Sequence, residues 1–171
     1  MKSFVYCFFV CLTLVSGVQA SAQTNRSFRK GYRGDVELGN YATFGKDEAG
    51  GMILFTSTHG YSMGNGMFIG GGAGYGYEIA SDLYLVSAFI DAKYNLKDAA
   101  VSPFLAARTG AFLGGGRSQY TAQFVSLSCG VDVSRLSVKI GYQYAPVRQE
   151  VAQMVIFNKP SRLYCSFAIC F

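Results

Sequence analysis

Arg162-Leu163-Tyr164-Cys165-Ser166-Phe167-Ala168-Ile169-Cys170-Phe171 is the stretch on which the fold turns. Counted back from Phe171, every second residue is apolar: Ile169, Phe167, Cys165 and Leu163. The interleaved positions, Cys170, Ala168, Ser166, Tyr164 and Arg162, are mostly small or polar. A period of two held over about ten residues describes a strand with two unlike faces. About ten residues is also the length a tilted strand needs to cross a bilayer. A soluble edge strand alternates in the same way, so the rest of the chain must decide.

The alternation recurs upstream in segments broken by turn chemistry. Strands are predicted near 32–41, 52–60, 67–78, 83–95, 102–113, 120–131 and 136–144, with the last running to 171. Tight turns are predicted at Ser62-Met63-Gly64-Asn65-Gly66, Ala80-Ser81-Asp82 and Lys97-Asp98-Ala99, while Gly114-Gly115-Gly116 opens a loop. In the first strand Val36 and Leu38 oppose Arg33, Asp35 and Glu37. In the third, Ile69, Ala73, Tyr75 and Tyr77 oppose a row of Phe68, Gly70, Gly72, Gly74, Gly76 and Glu78. The fourth sets Tyr84, Val86, Ala88, Ile90 and Tyr94 against Ser87, Asp91, Lys93 and Asn95. Arg108, Asp132 and Lys139 lie on the polar faces of the next three strands. The longest connection is 145–160.

The beginning of the chain has a different chemistry. Met1-Lys2-Ser3 is followed by an apolar run from Phe4 to Val15, broken only by Thr13, and then by Ala20-Ser21-Ala22. A short positive start, an apolar core and small residues in an A-x-A arrangement make a secretory signal peptide. Residues 1–22 are therefore expected to be removed, with the cut after Ala22 (or after Ala20) and a mature domain of 23–171. The run is shorter than the roughly 18 apolar residues of a membrane helix. Neither Cys7 nor Cys11 is placed for lipid attachment.

Composition points the same way. Half of the residues are apolar, yet no later run approaches a membrane helix, which is what dyad alternation produces. With no Trp, an interfacial belt has to be built from the 12 Tyr and 14 Phe. The net charge of +5 is spread over scattered Lys and Arg, without the cluster that a nucleic-acid footprint requires. Cys129, Cys165 and Cys170 have no metal spacing and read as small buried hydrophobes, and Cys165 and Cys170 lie on opposite strand faces.

Together these readings predict an all-β, eight-stranded, antiparallel, up-and-down transmembrane β-barrel in the bacterial outer membrane, with both termini periplasmic. Residues near 43–51, 79–82, 114–119 and 145–160 then face outward. At eight strands the interior is just wide enough for side chains to fill it. Arg33, Lys93, Arg108 and Lys139 are expected inside with Asp35, Glu37, Glu78, Asp91 and Asp132, as a plug in which Arg33, Lys93 and Arg108 pair with Asp35, Glu37 and Asp91. The row Leu163, Cys165, Phe167, Ile169 and Phe171 is expected to face lipid. An aromatic last residue in that register resembles the C-terminal insertion signal of outer-membrane barrels, which implies the barrel-assembly machinery as a partner. Outer-membrane lipid is the other expected partner, and a monomer is expected.

Several stretches carry a further resemblance. Lys30-Gly31-Tyr32-Arg33-Gly34, Val36-Glu37-Leu38-Gly39, Thr58-His59-Gly60-Tyr61, Phe68-Ile69-Gly70-Gly71-Gly72, Val101-Ser102-Pro103-Phe104 and Arg108-Thr109-Gly110 resemble small outer-membrane β-barrel proteins common in Bacteroides and related bacteria. The resemblance covers most of the mature chain and implies an eight-stranded outer-membrane barrel without bringing an activity. The chain departs from the pattern at Ala106, where an acidic residue is expected, and at Lys93, where Arg is usual.

Catalysis has one candidate. Ser57-Thr58-His59 sets a hydroxyl and the sole His on one strand face, a possible nucleophile and base for a lipid A-modifying barrel enzyme. The order Ser-x-His reverses the one associated with barrel deacylases, and no acidic orienter is evident. The Gly70–76 stretch has no G-x-G-x-x-G register and no following helix pattern, so its glycines read as close packing. The functional expectation is a structural or surface-interaction barrel with a filled lumen, no catalysis, no cofactor and no metal. A small porin or ligand-binding barrel is the alternative.

Overall fold

Dyad alternation hides one set of side chains and displays the other only if every strand finds a neighbour on both sides, which a closed sheet achieves. The computed structural model describes residues 28–43, 51–79, 83–115, 120–151, 154–158 and 161–171. The expected signal peptide and its cleavage site lie outside these residues.

Eight strands close the barrel: β1 (Lys30–Thr43), β2 (Gly51–Met63), β3 (Met67–Glu78), β4 (Leu83–Asn95), β5 (Val101–Gly115), β6 (Tyr120–Val133), β7 (Leu136–Tyr144) and β10 (Ser161–Cys170). All pairings are antiparallel and follow chain order, and β10 joins β7 to β1. The predicted fold class is therefore the observed one.

Three short turns occupy one end of the barrel. In the first, Gly64 and Gly66 take positive φ of 83° and 87°, and the Met67 amide donates to the Asn65 side-chain oxygen at 3.1 Å. The second spans 96–100, and the third is Ser134-Arg135, with Ser134 at φ 58°. β1 starts and β10 ends at this turn end, while the two longest connections, 44–50 and 145–160, lie at the opposite loop end. His59-Gly60-Tyr61 lies inside β2, which runs three residues past the predicted bound at Gly60.

The predicted long connection contains structure of its own. β8 (Val147–Val151) and β9 (Met154–Asn158) form an antiparallel hairpin, and β8 pairs with Thr121 and Ala122 of β6. It continues the course of β7 along β6 after a gap at Ala145-Pro146, where proline has no N–H to give the ladder.

Burial is inverted relative to a soluble protein. Leu38, Phe55, Tyr75, Tyr84, Ile90, Leu105, Leu127 and Ile169 are exposed on the outer wall, whereas Arg33, Glu37, Asp91, Arg108 and Asp132 are buried inside. Between Phe68 and Glu78, the inward positions of β3 are all glycine: Gly70, Gly72, Gly74 and Gly76. A methyl group at Gly72 would lie 2.5 Å from the Phe89 ring, and one at Gly74 2.6 Å from Thr56 Cγ2, so these glycines leave the room that neighbouring strands fill.

Candidate functional site

The lumen is the most elaborate constellation in the molecule, and parity along the strands builds it. Arg33, Asp35 and Glu37 of β1, Asp91, Lys93 and Asn95 of β4, Arg108 of β5, Asp132 of β6, Lys139 of β7 and Arg162 of β10 all point inward and are buried. Five cations (Arg33, Lys93, Arg108, Lys139, Arg162) meet five carboxylates (Asp35, Glu37, Glu78, Asp91, Asp132) there.

Two carboxylates act as hubs. Glu37 Oε2 accepts from Arg108 Nη2 and from Lys139 Nζ, each at 2.8 Å, and Arg108 also reaches Asp91 at 3.0 Å. Nearer the turn end, Asp132 receives Lys93 at 2.6 Å, Arg33 at 3.3 Å and the Asn95 amide at 2.8 Å. Asn95 also donates to Ser102 Oγ at 3.1 Å, whose hydroxyl donates to the Lys97 carbonyl at 2.6 Å. Guanidinium and ammonium groups lie over aromatic faces as well: Arg33 over Phe68 at 5.5 Å, Lys93 over Phe104 at 3.7 Å and Arg108 over Phe89 at 4.1 Å. Such contacts offset part of the desolvation of a buried cation.

The nine predicted lumen residues thus face the lumen, but the predicted partners change. Arg108 takes Glu37 and Asp91 as expected, while Arg33 and Lys93 both go to Asp132. Asp35 has no ion pair among the described residues and lies in the field of Lys139 and Lys93. Strand stagger is the reason, because residues level with one another in the lumen are far apart in sequence. The sequence reading omitted Arg162, which pairs with Glu78 at the loop mouth and contacts Met52 Sδ. Its inward parity was the available signal.

Between that mouth pair and the Glu37 hub lies an apolar layer. Tyr41 stacks on Tyr164 at 4.7 Å and Phe112 on Phe124 at 4.5 Å, with Met52, Leu54, Leu85 and Ala122 packed among them. The lumen is therefore occupied by aromatic packing toward the loop end and by ion pairs toward the turn end.

The Ser57–His59 pair lies elsewhere, on the outer wall near the turn end. Ser57 Oγ is 3.0 Å from His59 Nε2, and the Tyr32 hydroxyl bonds His59 Nδ1. A phenol stands where a hydrolytic triad has a carboxylate, so among the described residues no fixed anion stabilises an imidazolium. The surrounding backbone of β1, β2 and β3 is committed to continuous pairing. Phe171 closes the cluster, with its ring edge-on to His59 at a centroid separation of 6.0 Å and its backbone paired in both directions with Gly34 at 2.9 and 3.0 Å. Gly34 accommodates this ring, since a methyl group there would come within 2.6 Å of it.

The cysteine expectation needs correction. Cys170 is buried in the lumen and accepts from Arg33 at 3.5 Å, Cys165 is half-buried, and Cys129 is exposed on the outer wall. An apolar thiol at that position meets the same surroundings as its neighbours Leu127 and Val131. No group of three or more metal-ligating side chains occurs among the described residues.

No family model matches the chain, and no curated protein matches its sequence. Solved structures do match in shape. Neisserial surface protein A superposes with a TM-score of 0.59 at 16% identity, covering 82% of this chain and 97% of that one. The outer membrane enzyme PagL gives 0.60 at 14% identity, covering 79% of this chain and 98% of that one. The fold is that of a small outer-membrane β-barrel. The N-terminal β-barrel domain of Pseudomonas aeruginosa OprF adds a TM-score of 0.50 at 12% identity, over 84% of this chain and 100% of that domain. A surface protein and an enzyme share this barrel at similar scores, so function has to be argued from the residues.

Proposed function

We propose that this protein is an integral, multi-pass barrel of the bacterial outer membrane with a structural or surface-interaction role, a closed lumen and no catalysis. The observation that carries the proposal is the filled interior, with stacked Tyr and Phe above and two carboxylate hubs below. Outer-membrane barrels have short periplasmic turns and longer outward loops, which supports reading the turn end, and with it both termini, as periplasmic. Residues 1–22 serve export, and the motifs quoted above resemble those of barrels common in Bacteroides and related bacteria. Outer-membrane lipid covers the apolar wall of the monomer, and the assembly machinery reads Leu163, Cys165, Phe167, Ile169 and Phe171.

The decisive measurement is conductance of the purified, folded protein in planar bilayers. Little or no current is expected, and large stable currents would overturn the closed lumen in favour of a small porin. Ester hydrolysis in lipid vesicles that disappears with Ser57→Ala would instead establish the enzyme reading.

A further inference from the structure

The lumen charges balance five against five, so the charge that the described residues show to the outside comes from the rim. Four exposed cations are described, Arg29, Lys30, Lys97 and Arg135, and all lie at the turn end. Asp98 is the one exposed acidic side chain among the described residues. The cations are spread around the circumference. Arg29 and Lys30 open β1, with Lys30 against the β2–β3 turn, where a methyl group on Gly64 would meet Lys30 Cβ at 3.3 Å. Lys97 lies in the β4–β5 turn, and Arg135 in the β6–β7 turn, where its carbonyl accepts from the Cys170 amide at 2.7 Å.

Three of these cations lie beside an exposed apolar side chain. Leu96 (55% exposed) precedes Lys97, Leu136 (50%) follows Arg135, and Tyr32 (66%) is two residues from Lys30 on the same face of β1. Tyr61, Tyr94 and Phe171 continue this apolar and aromatic border. A wall that stays apolar down to the turns and then becomes cationic places its ammonium and guanidinium groups at the depth of lipid phosphates. Zwitterionic lipid offers each phosphate already paired with its own cation, whereas an anionic phosphodiester has a net charge to give.

We propose that the turn-end rim is a binding surface for anionic phospholipid headgroups, with Lys30, Lys97 and Arg135 as its contacts to the phosphodiesters of phosphatidylglycerol in the inner leaflet. The proposal rests on reading the turn end as the periplasmic membrane surface.

The test uses the folded barrel and two lipids. Protein inserted into phosphatidylcholine vesicles and into vesicles containing phosphatidylglycerol is first checked for heat-modifiable migration. Retention of each lipid is then measured by native mass spectrometry after transfer to micelles. Preferential retention of phosphatidylglycerol is expected, weakened by salt. It should fall about fivefold for each cation removed in Lys30→Gln, Lys97→Gln and Arg135→Gln, the factor one Lys or Arg contributes at an anionic surface. The charge-preserving set Lys30→Arg, Lys97→Arg and Arg135→Lys should retain it. Equal retention of the two lipids by the inserted protein, or undiminished preference in the triple Gln variant, overturns this proposal while the barrel reading stands. Failure of the unaltered protein to insert into either vesicle overturns the membrane reading, and this proposal with it.

Discussion

The two halves of the lumen are built by the same strands from opposite chemistry. Toward the loop end, Tyr41, Tyr164, Phe112, Phe124, Leu54 and Leu85 fill space by shape. Toward the turn end, Glu37 and Asp132 gather cations and donors from across the barrel. Aromatic packing is local and tolerant, because each ring shares its contacts among many neighbours. A hub is neither, because a cation taken out of water depends on one or two oxygens for compensation. The difference predicts unlike responses to truncation.

The largest effect is expected from Glu37→Ala, which leaves both Arg108 and Lys139 without their shared carboxylate oxygen. Breaking a buried pair from one side costs about 3–5 kcal/mol, readable as a lower urea midpoint for loss of the heat-modifiable form. Adding Lys139→Met should recover part of that loss, because the uncompensated ammonium goes with it. Leu85→Ala comes next, at about 3 kcal/mol for a fully buried leucine. A second truncation in that layer, Phe112→Ala, should add to the loss and begin to admit ions in planar bilayers. Recovery in the aromatic pair, or simple addition in the hub pair, would erase the distinction between the halves.

Phe171→Asp is expected to have the smallest thermodynamic effect, roughly 0–1 kcal/mol for a charge near a membrane interface. Outer-membrane yield should nevertheless fall, with unfolded chain left in the periplasm, if the last strand is read as a signal. Normal yield would reduce the row from Leu163 to Phe171 to strand packing.

Facing was legible in the sequence because period two is a local property. The bounds 83–95 and 136–144 coincide with β4 and β7, and Arg108, Asp91 and Lys139 face inward as parity requires. Partnership was not legible, because it depends on the stagger between strands. Asp132 meets Arg33 across 99 residues of chain and Lys93 across 39. Arg162 had the right parity but lay in a strand read mainly for its apolar face. The β8–β9 hairpin escaped because five-residue strands beside Pro146 contain too few periods to separate from a loop. Tyr32 was equally hidden as the partner of His59, since it approaches from the neighbouring strand.

The hubs also have a mechanical consequence. Glu37 ties β1 to β5 and β7, and Asp132 ties β6 to β1 and β4, so each of these four ties joins strands that are not neighbours in the wall. A sheet closed only by its ladder is a hoop, easily flattened into an ellipse when the surrounding bilayer is stretched or thinned. Spokes of opposite charge across the bore oppose that flattening along several diameters at once. The cross-section should hold its roundness under lateral tension, and the outward loops should keep their spacing as the membrane around them changes.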